Sequence, residues 1–171
     1  MSIEKSKAEN SKKNLHNADF TNVDLKEADL SSGVLIEACL KEADLSEADL
    51  CHADVSYANF EGARLHRILL YRSRGRDASF SGCTLTQANL VEANFVGANF
   101  SHANLRESNI EGADLKNTNF KNANLSDTNM TGVFLSNSDL TDADFTNADL
   151  IAADLTNADF TGANFENTYL N

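Results

Sequence analysis

From Leu15 to Leu170 a bulky apolar residue stands at every fifth position, and only Gly75 breaks this series of 32. Two residues before each one, from position 18 to 168, stands a small residue, Ala at 20 of 31 sites, with Ile68 the one large intruder. A period of five excludes an amphipathic helix, because five steps of about 100° scatter successive leucines around the cylinder. It excludes a straight strand too, since alternation sends every second leucine to the opposite face. What survives is a chain that repeats its whole conformation every five residues. The small and the bulky residue, two apart, share the inner side of a short extended piece, and the other three turn a corner.

The residue before the bulky one is usually Asp or Asn, as at Asp19, Asp24, Asn89, Asn94 and Asp149. Such side chains bond backbone groups two residues on and tolerate turn dihedrals, which makes them corner-formers and not catalytic or metal-binding carboxylates. Sorted by twenties, the bulky residues place Phe20, Leu40, Phe60, Phe80, Phe100, Phe120, Leu140 and Phe160 in one column, which holds six of the nine phenylalanines in the series. Rings favour stacking on rings, so four units per lap is the expected arrangement.

Units such as Ala48-Asp49-Leu50, Ala93-Asn94-Phe95, Ala148-Asp149-Leu150 and Ala158-Asp159-Phe160 resemble those of the pentapeptide repeat family, in particular its small stand-alone bacterial and cyanobacterial members. The resemblance implies an all-β fold: a right-handed quadrilateral parallel β-helix, a solenoid of about eight coils of 20 residues. It implies a non-enzymatic structural or protein-interaction module. The alternative it carries is a DNA mimic that binds a type II topoisomerase (DNA gyrase) and modulates quinolone sensitivity, as some acidic, rod-shaped relatives do.

The unbroken register makes 13–171 a single repeat domain after a polar, off-pattern lead-in at 1–12, expected to be flexible. No apolar h-region follows Lys5, and no strongly apolar stretch is longer than the three residues of Ile68-Leu69-Leu70, so the sequence points to a cytoplasmic protein that uses no membrane. A net charge of −12 disfavours direct nucleic-acid binding and leaves an unidentified protein partner, docking on acidic faces. Cys39, Cys51 and Cys83 share no metal-ligand spacing, and His16, His52, His66 and His102 share no column. Free thiols are expected, with no catalytic residue, metal or cofactor.

The pattern decays once, at 64–77. Five of the six arginines lie here, Arg64, Arg67, Arg72, Arg74 and Arg76, and no acid occurs from Gly62 to Arg76. Two arrangements are open. Either the coil stays closed and the arginines pair with carboxylates on adjacent laps, such as Asp44 and Asp54, or residues 70–76 project as a basic finger. The five arginines are the candidate partner-binding residues in both. Outward Val34, Ile36, Val91, Val96, Phe134 and Ile151 read as scattered. At the far end nothing covers the last unit, so Phe165, Tyr169 and Leu170 are expected to make a homodimer contact through the C-terminal coil.

Overall fold

The computed structural model describes residues 3–170. Among them the one regular element is helix α1, Ile3–Ser11, and there is no strand and no sheet. The expected all-β class, a right-handed quadrilateral β-helix or solenoid of strands, is therefore corrected. Successive passes of the chain meet only through isolated parallel bridges, one residue each, at every fifth position and separated by two-residue turns. The physical reason lies in the quintet itself. Two of its residues form the corner and a third closes the turn by a local bond, so no extended run reaches the length of even a short strand.

Each bridge joins residues twenty apart, from Asp19 with Cys39 to Asp149 with Tyr169, so four quintets complete a lap. The bridging residues fall into four outward columns that define the sides of the coil. Face 1 carries 19, 39, 59 and onward; face 2 carries 24, 44 and 64; face 3 carries 29, 49 and 69; face 4 carries 34, 54, 74, 94, 114, 134 and 154.

The sequence pattern follows from the fate of the backbone N–H groups, all five of which are bonded in the unit at 90–94. Leu90 donates up one lap to Asn109 O at 2.7 Å and Glu92 to Glu111 O at 2.9 Å, while Asn94 donates down one lap to Ser73 O at 2.9 Å. Ala93 closes the corner on Leu90 O at 3.0 Å. The remaining donor, Val91, reaches the Asn89 side-chain oxygen at 3.1 Å, which is why Asp or Asn recurs before the bulky residue. The third corner residue is left-handed whatever its type, with φ of 55° at Glu92 and 61° at Tyr57, and Gly97 supplies it at 76°.

The bulky and small residues fill the axis, with Leu25 through Leu150 buried almost completely. Phe60, Phe80, Phe100 and Phe120 stack nearly parallel, with centroids 4.6, 4.8 and 4.9 Å apart, the rise of one lap. Polar residues in the small slot bond inner carbonyls: Ser108 Oγ donates to Leu85 O at 2.7 Å, and Cys83 Sγ to Phe60 O at 2.8 Å. Helix α1 sits over the first lap. Ala8 is buried there, and Glu9 accepts the Asp29 N–H at 3.0 Å, a donor that an earlier lap would otherwise take.

Candidate functional site

Residues 64–77 keep the register. Arg64, Leu69 and Arg74 bridge to Asp44, Asp49 and Asp54, and Leu65 and Leu70 stay fully buried, so no basic finger projects. The arginines belt one lap, and each meets a carboxylate. Arg64 Nη2 lies 2.9 Å from Asp44, Arg67 Nη1 3.8 Å from Glu47 and Arg74 Nη2 3.3 Å from Asp54. Arg72 Nε lies 2.6 Å from Glu92 and Arg76 Nε 3.3 Å from Asp77. All five remain more than half exposed, so solvent screens these pairs and each adds little to the stability of the stack.

Asp44 differs, because it is buried. Burial pushes its pKa up, but hydrogen bonds from Ser46, Lys26 and Arg64 outweigh that and hold it at about 2, below its usual 3.8. A carboxyl depressed in the fold adds stability above its unfolded pKa and loses it as pH falls through the folded one. The contribution is on the order of 2 kcal/mol and disappears between about pH 4 and pH 2. Urea unfolding of Asp44→Asn beside the parent chain should show a gap that closes across that interval. A gap independent of pH would contradict the assignment.

Gly75 stands where the axis expects a leucine, and the ring of Phe95 from the next lap fills the place. A Cβ at 75 would collide with Phe95 Cε1 and Cδ1 and approach Val55 Cγ2 to 3.1 Å. The oversized Ile68 and the small Ser73 are both buried, and Ser73 Oγ donates to Leu70 O at 2.7 Å.

The thiols and imidazoles do not converge. Burial pushes Cys83 up to about 12, and burial with the neighbouring Asp49 pushes Cys51 up to about 11. His66 pairs with Thr86 at 2.8 Å, and His52 lies edge-on to Tyr71. Among the described residues no three His, Cys, Asp or Glu are placed to hold a metal ion, and no helix is long and apolar enough to cross a membrane.

Two surface features do have geometry. After Lys121 the chain carries eight acids and no lysine or arginine. Asp139, Asp144, Asp149, Asp154 and Asp159 take faces 1, 2, 3, 4 and 1 in turn, so their carboxylates wind around the coil as a track. Each commits one oxygen to its own corner, as Asp139 does to Thr141 N at 3.0 Å and Asp154 to Thr156 N at 3.1 Å. Hydrogen bonds from Thr156 and Thr161 hold Asp154 and Asp159 below the ordinary carboxylate range.

The second feature is face 4. The lap of twenty brings Val34, Ile36, Tyr57, Tyr71, Val91 and Val96 onto this face or its two corners, with Phe134 and Ile151 further along. Among the described residues of the coil, the outward Leu69 and Tyr169 lie instead on face 3. The scatter read from sequence is thus one side of the coil. Tyr57 and Tyr71 carried no signal as corner residues, and position modulo twenty was the signal that finds them. At the far end Phe165 is partly buried, while Tyr169 is 63% and Leu170 54% exposed. Met1, Ser2 and Asn171, the ends of the lead-in and of the last unit, lie outside the described residues.

A family model described as pentapeptide repeats (8 copies) matches residues 11–35, 34–67 and 138–171. A second, pentapeptide repeat region, matches 58–130. The chain belongs to the pentapeptide repeat family. Among solved pentapeptide repeat structures, a protein of the Arabidopsis thaliana thylakoid lumen is 36% identical, with a TM-score of 0.56, over 57% of this chain and 68% of its own. A trypsin-treated form of QnrB1, a plasmid-mediated fluoroquinolone resistance protein, gives a TM-score of 0.67 at 24% identity, over 91% of this chain and 81% of its own, a likeness of fold. HetL, a pentapeptide repeat protein involved in heterocyst differentiation regulation in the cyanobacterium Nostoc, is 28% identical over 90% of this chain and 81% of its own, with a TM-score of 0.45. No curated protein matches the chain.

Proposed function

We propose that this pentapeptide repeat protein is an interaction module whose acidic end, residues 122–170, fills the basic DNA-binding surface of a partner, and that the partner is a type II topoisomerase. The observation that carries the reading is the carboxylate track from Asp139 to Asp159. Negative charges wind around a rod there, as phosphates wind around a duplex, and no cation interrupts them. Such a surface repels nucleic acid and steers toward proteins that bind it. Fluoroquinolone resistance is the stated role of QnrB1, whose fold this chain shares. The arginine belt is the weaker docking candidate, because all five guanidinium groups already face carboxylates of their own chain.

The test is a DNA gyrase supercoiling assay with and without a quinolone. The expected outcome is inhibition of supercoiling, or relief of quinolone poisoning, at micromolar protein. Replacing Asp139, Asp144, Asp149 and Asp159 together by Asn should remove the effect. No inhibition and no relief by the parent chain would remove the topoisomerase reading.

A further inference from the structure

We propose that face 4 is a self-association surface on which a second copy of this chain packs antiparallel, with a two-fold axis midway between the laps of Arg74 and Asn94. Two chains of charge −12 repel one another, so their contact belongs where net charge is least. Across residues 51–117 of face 4 and its corners, the span that such an axis maps onto itself, Arg72, Arg74, Arg76 and Lys116 stand against Asp54, Asp77, Glu92, Glu111 and Asp114, and the net charge is only −1. The same stretch holds Tyr57, 53% exposed, and Tyr71, with the Arg72 guanidinium 5.0 Å from the Tyr71 ring centre. Tyrosine and arginine amid aliphatic residues is the composition of interface cores.

Symmetry then selects the register. A two-fold axis lying across the face sets each column position opposite the same position of the other copy, with lap order inverted. An axis at the lap of Arg74 would press Arg72, Arg74 and Arg76 against their own duplicates. An axis at the lap of Asn94 would oppose Glu92 to Glu92 and Arg76 to Lys116. A parallel pair, lap against equal lap, again meets Arg74 with Arg74. Midway between the two laps these conflicts vanish: Arg72 faces Glu92 of the other copy, Tyr71 faces Val91, Arg74 faces Asn94, and Val34 faces Phe134. The one like-charge pair, Asp54 with Asp114, keeps its own cations, Arg74 at 3.3 Å and Lys116 at 3.4 Å.

Sedimentation equilibrium of the full chain tests this. The parent chain should dimerise at concentrations up to about 500 µM. Tyr71→Glu and Arg72→Glu should each weaken the dimer about tenfold or more, and Arg72→Glu with Glu92→Arg should restore it, since the swap preserves the pairing across the axis. Tyr169→Glu, at the far end of the coil, should leave the dimer unchanged. All four positions are on the outer surface, and circular dichroism checks that each variant keeps the parent fold. A parent chain that is monomeric throughout, a dimer that survives both Tyr71→Glu and Arg72→Glu, or one lost on Tyr169→Glu would overturn the proposal.

Discussion

Phe100→Ala should cost about 3–5 kcal/mol. Phe100 is fully buried between Phe80 at 4.8 Å and Phe120 at 4.9 Å, and it also meets Phe95 edge-on at 5.9 Å. Truncation therefore removes ring contacts to the lap below and the lap above together, and the bridges of face 1 hold those laps too firmly for the gap to close. Urea unfolding followed by circular dichroism gives the number. A loss below about 1 kcal/mol would mean that the aromatic column does not hold the laps together.

The second large effect runs against the repeat pattern. Gly75→Leu installs the residue that the five-residue period calls for, yet it should destabilise by about 2–3 kcal/mol, because the Phe95 ring already occupies the place. The companion change Phe95→Leu opens that space, so the double variant should recover most of the loss, and the two changes should be strongly coupled in a double-mutant cycle. A stabilising Gly75→Leu would show that position 75 is a cavity and not a filled site.

These two positions also show what the sequence could and could not tell. The lap of twenty was legible because phenylalanines repeat in one column, and the inward residues were legible because small and bulky slots never shift. The strands were not. Inward pairs two apart suggest extended pieces, but each quintet makes a single bridge and then turns a corner that interrupts the extended run, as the local bonds of Ala93 to Leu90 and of Val91 to Asn89 demonstrate. The arginine segment left both a closed coil and a projecting finger open: Asp44 and Asp54 were legible one lap from Arg64 and Arg74, but Phe95 over Gly75 and the burial of Asp44 have no signature in local pattern. Both are relations between laps. The same holds for face 4, whose apolar side chains are far apart along the chain and share one side only after the coil is wound.

The fold rests on a backbone that bonds to itself one lap away at single-residue bridges. Scalar couplings across hydrogen bonds, measured by nuclear magnetic resonance, read this directly. The amide of Leu90 should couple to the carbonyl carbon of Asn109, Glu92 to Glu111 and Asn94 to Ser73, with the same offsets repeated in every quintet of the interior. Couplings from each amide to the carbonyl four residues earlier, or offsets that fit a lap other than twenty, would contradict it.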